Sequence, residues 1–326
     1  MTLAPLAIPT TPGLHHVSVL ARDPLTNLAF WTGTMGQRLV KRTVNFDAPT
    51  MHHLYYGDGS GTPGTVLTFF PVPGTARSQE GTGTTSAVAY ALSRSALDGW
   101  RDRLAAAGVQ VKDLERWDRQ LLAFDDPDGL HIELVGVDAP PDVAAWDGEP
   151  LPAEMRLCGL ESVTLRLASA GASQALLERL GYSVVAERLE GTTRRLRLET
   201  GSGAAGQAIE LLEEGRATPR RDGRGAVHHV AFRLSGEDEQ ARVAELMRAL
   251  GRTVSAVHDR GYFRSIYLRE PGGVLIEFAT DGPGFTVDET PATLGGSLRL
   301  PPWLEPSRAS IESALPSLEL DREVVS

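Results

Sequence analysis

Two histidine pairs, His15-His16 and His228-His229, stand near opposite ends of the chain, and each opens an apolar run of the same form. Imidazoles and carboxylates are the side chains that hold borderline divalent cations, so the pairs call for a carboxylate in a comparable setting. Glu277, within Val274-Leu275-Ile276-Glu277-Phe278, supplies one. Two neutral imidazoles and one carboxylate form a facial ligand set that leaves coordination positions open, as catalysis requires and a closed structural site does not. The expectation is one divalent ion, Fe(II) or Mn(II), on His16, His229 and Glu277.

Side chains alternate along a strand, so parity decides which member of each pair can meet the carboxylate. His15, Val17, Val19 and Ala21 share one face of the first run, and His16, Ser18 and Leu20 share the other. His228, Val230, Phe232 and Leu234 likewise leave His229, Ala231 and Arg233 opposite them. In the closing run Val274, Ile276 and Phe278 are apolar, with Glu277 and Leu275 on the other side. The apolar faces are expected against helices. His16, His229 and Glu277 therefore belong to helix-free faces, and His15 and His228 to the helix side.

The elements that carry these residues occur four times over. Gly13-Leu14-His15-His16-Val17-Ser18-Val19 matches Gly159-Leu160-Glu161-Ser162-Val163-Thr164-Leu165 and Ala226-Val227-His228-His229-Val230-Ala231-Phe232, with a weaker copy in Thr85-Ser86-Ala87-Val88-Ala89. A helical stretch closed by glycine follows each opening: Pro24 to Met35, Ser95 to Ala107, Ser173 to Leu180 and Glu237 to Leu250. Glycine suits the position just past a helix because it adopts positive φ at little cost. Each segment ends in a hydrophobic strand, three of which carry an Ile-Glu pair, at Glu133, Glu210 and Glu277. Asp126-Pro127-Asp128-Gly129 and Glu270-Pro271-Gly272-Gly273 are turn sequences before two of them.

The fold class is thus α+β, built from four βαβββ modules. Residues 1–140 form an N-terminal half with modules at about 12–72 and 84–138; residues 155–281 form a C-terminal half with modules at about 155–214 and 224–281. The Pro- and Asp-rich stretch leading through 141–154 is the linker, and 282–326 is a tail that caps the site or serves an interface.

Aligning each closing strand on its turn proline sets Phe69 where Glu277 stands, so the fourth corner of the site is expected to be apolar, with three protein ligands. Glu133 and Glu210 keep the carboxylate, but Ala87 and Ser162 replace the histidine, and modules two and three are not expected to bind the ion. His52, His53, His131 and His258 read as structural, hydrogen-bonded residues. Cys158, the single cysteine, reads as a core thiol with no disulfide. Gly57-Asp58-Gly59-Ser60-Gly61 joins strand to strand and lacks the following helix that phosphate binding needs.

A formal charge of -10 and a pI near 5.3 argue against nucleic acid or an anionic membrane as partner, because both reward basic patches. No apolar run reaches the roughly 18 residues of a membrane span. Met1 to Pro12 has neither a basic start nor a long apolar run, so the expected location is the cytoplasm. A small molecule is the expected partner, and a homo-oligomer is compatible with the sequence.

The opening histidine strand, Pro-Gly turn and Ile-Glu closing strand resemble the vicinal oxygen chelate superfamily, which includes glyoxalase I, extradiol dioxygenases and bleomycin-resistance proteins. Met35-Gly36-Gln37-Arg38-Leu39-Val40-Lys41-Arg42-Thr43, His53-Leu54-Tyr55-Tyr56, Gly61-Thr62-Pro63-Gly64-Thr65-Val66, Asp259-Arg260-Gly261-Tyr262-Phe263 and Gly284-Phe285 resemble one branch, the ring-cleaving dioxygenases of hydroquinones. The resemblance implies two cupped mixed-sheet barrels with helices outside, an iron site on His16, His229 and Glu277, and an Arg and a Tyr near the metal at Arg260 and Tyr267. It implies a small aromatic substrate and O2. Tyr267 shares the parity of a cavity-facing residue in its own strand, which suits hydrogen bonding or proton transfer, and Arg260 suits a developing oxyanion. The rivals are an ortho-diol (catechol) extradiol dioxygenase, a glyoxalase-type isomerase, which the apolar fourth corner disfavours, and a non-catalytic binding protein, which has no need of the triad.

Overall fold

In the computed structural model the described residues are 10–318; the first nine residues of the Met1–Pro12 start and the last eight of the tail lie outside them. Module one contains β1 (Leu14–Ala21), β2 (Arg38–Asn45), β3 (Ala48–Gly57) and β4 (Val66–Pro71). Module two contains β5 (Thr84–Ser93), β6 (Lys112–Arg116), β7 (Arg119–Asp125) and β8 (His131–Val137). Module three contains β9 (Leu160–Leu167), β10 (Ser183–Glu190), β11 (Thr193–Glu199) and β12 (Ala208–Glu213). Module four contains β13 (Val227–Leu234), β14 (His258–Asp259), β15 (Arg264–Arg269) and β16 (Leu275–Thr280).

One helix follows the first strand of each module: α1 (Pro24–Leu28), which runs on as a π-helical turn over Ala29–Thr34, α2 (Leu97–Ala106), α3 (Gly171–Arg179) and α4 (Glu237–Ala249). Asp23 caps α1 by accepting from Thr26 N at 2.7 Å, and Pro24 at the first helical position has no N–H to leave unpaired. The four βαβββ modules and the mixed sheets with peripheral helices agree with the sequence reading.

The strands form two eight-stranded sheets, in the orders β14-β15-β16-β13-β1-β4-β3-β2 and β10-β11-β12-β9-β5-β8-β7-β6. Module one therefore joins module four, and module two joins module three; each sheet draws one module from each sequential half. At each junction the opening strands run antiparallel, β1 with β13 and β5 with β9, while each opening strand is parallel to its own closing strand. The two curled sheets share a hydrophobic core in which Val17, Val19, Phe232, Ile276 and Phe278 pack with Val88, Tyr90, Val163 and Leu165. Gly13 (φ 130°) is needed where the sheets meet, since a Cβ there would lie 2.3 Å from the carbonyl oxygen of Gly206.

Two register shifts interrupt the β1–β13 ladder, between Leu14 and His16 and between Ser18 and Val19. In the first, His15 is the extra residue on β1; in the second, His228 is the extra residue on β13. A bulge of this kind inserts a residue without a partner and re-aims its neighbours. The β5–β9 ladder carries the same two shifts, with Ser86 and Glu161 as the extra residues.

The tail lies along the outside of the β2–β3 pair. Lys41, fully buried on β2, pairs with Glu289 and donates to Asp288 Oδ1 at 2.6 Å, while Arg299 N donates to Arg42 O at 2.9 Å. Val44 packs on Leu298 and Ile311, the latter on α5 (Arg308–Ala314). No helix among the described residues is long and apolar enough to cross a membrane.

Candidate metal centre

His16 on β1, His229 on β13 and Glu277 on β16 converge in the cup of the first sheet. Glu277 Oε2 lies 2.8 Å from His229 Nε2 and 3.4 Å from His16 Nε2, and the two imidazole nitrogens are 3.3 Å apart. All three residues are buried, and among the described residues they are the cluster of potential ligands close enough to share one ion. Burial alone would raise the Glu277 pKa, but the facing imidazoles of His16 and His229 outweigh it and hold the carboxyl well below its usual range. Burial lowers the His229 pKa, with the carboxylate of Glu277 beside it opposing the shift.

Glu277 Oε1 accepts from Ser265 Oγ, whereas Oε2 is buried with no hydrogen-bond partner. An ionised oxygen without a donor is costly in a protein interior. A cation held between that oxygen and the two Nε2 atoms would satisfy it, so the donor set fits a divalent metal.

The adjacent histidines do not turn away from this centre, which corrects the parity reading of His15 and His228. His15 Nδ1 is 2.9 Å from His16 Nδ1, and His228 Nδ1 is 2.8 Å from His229 Nδ1. The cause is the bulge at each residue, which breaks strict alternation. Burial, followed by the charge of the neighbouring histidine, lowers the pKa of His15 to about 3 and that of His228 to about 4.

Phe69 does not occupy the fourth corner. Ala231, two residues beyond His229, pairs with Glu277; Ser18, two residues beyond His16, pairs with Thr68. The counterpart of Glu277 is therefore Thr68, because module one is one residue shorter between its turn proline and the closing strand. Phe69 points to the core, fully buried against Trp31 and Tyr56 with ring centroids 5.2 and 5.8 Å away. Thr68 Oγ1 bonds to Ser18 Oγ at 2.8 Å and to His53 Nε2 at 2.9 Å, so the corner holds a neutral hydroxyl already in use.

A cavity of about 300 Å³ opens over the triad. Phe46, Met51, Phe70 and Phe263 give it apolar walls, and His53, Tyr55, Arg260 and Tyr267 give it polar ones. Arg260 Nε donates to Tyr267 Oη at 3.2 Å, and Tyr267 sits beside His229 with ring centroids 5.6 Å apart. Burial and the nearby Glu277 charge raise the Tyr267 pKa, with Arg260 opposing them, so the phenol stays protonated. His53 and Tyr55, the first of which reads as merely structural in the sequence, are cavity residues. Their signal was parity: His53 and Tyr55 share a face of β3. Phe46, at the β2–β3 turn, meets Trp303 of the tail edge-on at 5.6 Å, which puts the tail at the rim of the cavity.

Among the described residues the second sheet has no equivalent centre. Glu133 and Glu210 pair with Ala89 and Thr164, the positions matching Ala231, and Ala87 and Ser162 stand where the histidines would. Arg116 makes two hydrogen bonds to Glu133, at 2.7 and 2.9 Å; Arg195 and Trp117 reach Glu210, each at 2.7 Å; and Arg197 reaches Glu161 at 2.6 Å. Guanidinium groups thus neutralise carboxylates that are buried rather than solvated.

The family profile described as "Glyoxalase/Bleomycin resistance protein/Dioxygenase superfamily" matches residues 13–134 and 161–278. The chain is 39% identical over 310 residues to MhqE of Bacillus subtilis (strain 168), provisionally described as a ring-cleaving dioxygenase, covering 94% of this chain and 99% of that one. It is 35% identical over 298 residues to a chlorohydroquinone/hydroquinone 1,2-dioxygenase of Sphingobium indicum, covering 90% and 92% of the two chains. A crystal structure of a provisionally described dioxygenase from Bacillus subtilis superposes with a TM-score of 0.90 at 35% identity, over 96% of this chain and 99% of that one. Glyoxalase I from Zea mays shares the fold at a TM-score of 0.64 and 15% identity, over 82% and 92%.

Proposed function

The chain belongs to the glyoxalase/bleomycin resistance protein/dioxygenase superfamily, and from that premise we propose that it is a ring-cleaving dioxygenase that opens a hydroquinone-type, para-diol ring with O2. The observation that carries the reading is the unpartnered Glu277 Oε2 facing His16 and His229 beneath a cavity with an Arg260–Tyr267 pair on its wall. His16, His229 and Glu277 would hold Fe(II), or Mn(II). Such an ion would supply Lewis acidity and an electronic link between the ring and O2.

The chain's own residues account for binding and charge. Apolar walls from Phe46, Phe70 and Phe263 accept a flat ring and exclude water from its faces. Tyr267, protonated and beside His229, is placed to donate a hydrogen bond to an oxygen of the substrate near the triad. Arg260 orients that phenol and adds a fixed positive charge against the negative charge that grows on oxygen as the ring opens. Asp47 Oδ2, 3.5 Å from Arg260 Nη1, steadies the guanidinium from the hairpin across the cavity. Thr68 leaves the fourth corner without a carboxylate or imidazole, which disfavours an isomerase that relies on a fourth protein ligand.

The test is oxygen uptake by protein reconstituted anaerobically with Fe(II), given hydroquinone, methylhydroquinone, chlorohydroquinone and catechol in parallel, with His229→Ala as control. Uptake with a para-diol that vanishes in the control is the expected result. Uptake with catechol alone would make the enzyme an ortho-diol cleaver. No uptake with any diol at one iron per chain would overturn the dioxygenase reading.

A further inference from the structure

The internal symmetry of the first sheet relates two tyrosines. Tyr267 pairs across strands with Glu277, and Tyr55 pairs with Thr68, the counterpart of Glu277. Tyr55 is thus the module-one counterpart of Tyr267, and by the same offset His53 matches Ser265. The bonding matches too: Ser265 bonds to Glu277, and His53 Nε2 bonds to Thr68. One phenol on the cavity wall is tied to Arg260 at 3.2 Å, and the other to His53 Nδ1 at 2.9 Å.

Both members of the module-one pair are fixed in place. His53 stacks on Phe70 at a centroid separation of 4.0 Å, and Tyr55 meets Phe285 edge-on at 5.2 Å. Burial raises the Tyr55 phenol well above its usual range and lowers the His53 imidazole well below its own, so both are neutral near pH 7. A neutral phenol that shares one hydrogen bond with an imidazole keeps further hydrogen-bonding capacity toward the cavity. Such a group suits an uncharged hydroxyl. The triad and the Arg260–Tyr267 pair already serve the oxygen that develops charge.

We propose that Tyr55, oriented by His53, recognises the second ring hydroxyl of an aromatic diol, the one not directed at His16, His229 and Glu277. The inference rests on the ring-cleaving reading and assigns its selectivity for diols over mono-phenols. A ring that lacks the second hydroxyl leaves the remaining hydrogen-bonding capacity of the Tyr55 phenol unused, beyond its bond to His53, and sites built to bond a hydroxyl discriminate against the analogue that omits it.

The test is calorimetric binding of hydroquinone and of phenol to Fe(II)-loaded protein under nitrogen, for the native chain, Tyr55→Phe and His53→Phe, with circular dichroism to show that each is folded. The native protein is expected to prefer hydroquinone by about tenfold, and either substitution to bring the ratio close to one with phenol affinity unchanged. A native ratio of one, or a folded variant that keeps the native ratio, overturns the proposal. Binding needs no turnover, so the two readings fail separately. Preferential binding without oxygen uptake sinks ring cleavage alone; ring cleavage with an unchanged ratio in the variants sinks the subsite alone.

Discussion

Nδ1 of His228 lies 2.8 Å from Nδ1 of His229, and His15 stands to His16 in the same way at 2.9 Å. A ligand imidazole that offers Nε2 to a cation carries its proton on Nδ1, and here the acceptor for that proton is a second, neutral imidazole. Replacing His228 with Phe keeps a ring in the bulge and removes the acceptor. Metal affinity is expected to fall by about 10- to 100-fold, measured by competition with a chelator, with the fold retained by circular dichroism.

Glu277→Gln removes the charge and keeps the shape. Because a cation that binds only the folded chain stabilises it by mass action, added Mn(II) is expected to raise the melting temperature of the native protein. The variant is expected to show no such rise and to bind well under one ion per chain by elemental analysis. A full metal complement in the variant would remove Glu277 from the ligand set.

Arg116 is mostly buried, and its loss would strand Glu133. Arg116→Ala is expected to destabilise the chain by about 3–5 kcal/mol in denaturant titration, the usual cost of breaking a buried ion pair from one side. Metal content at the first sheet is expected to stay at one ion per chain, since the second cup contributes nothing to it.

The Cys158 thiol is pushed up to about 11 by burial. Only the thiolate reacts readily, so alkylation by iodoacetamide at pH 7.5 is expected to be slow in the native state and to speed up by at least about tenfold in denaturant. Rapid native labelling would contradict the raised pKa of this half-buried thiol.

The cluster of His16, His229 and Glu277 was legible because it depends on features a single sequence carries: doubled histidines at matching repeat positions and a glutamate on the polar face of an apolar strand. Parity placed His16 and His229 on the face of Glu277, where the structure brings the three together, and gave the wrong direction for each neighbour, since a bulge suspends alternation and has no residue signature of its own. The Phe69 alignment failed for a related reason. Prolines mark turns, but the parallel register of β4 against β1 is set by packing on Trp31 and Tyr56, and the turn absorbs the difference of one residue. His53, beside His52, was read as structural because that pair has no histidine counterpart at a matching repeat position and no local mark of the cavity it faces. The partners of Glu133 and Glu210 were out of reach because Arg116, Trp117 and Arg195 come from hairpins whose approach only the closed sheet determines. The tail was undecided for want of any repeat to compare it with; its anchor, Lys41 on Glu289, joins residues far apart in the chain.

The union of the first module with the last has a consequence for biosynthesis. His16 emerges from the ribosome early, and Glu277 follows 261 residues later (277 minus 16), which at about 5–20 residues per second is a delay of at least about 13 seconds. For most of that interval β1 lacks β13 beside it, and throughout it lacks β16 beyond, while modules two and three are free to complete their own sheet. Whatever β1 does in the meantime, it cannot present a complete ligand set. An unfinished chain thus lacks the cluster proposed to hold the ion, and on that proposal acquisition of metal would report that synthesis has run past residue 277.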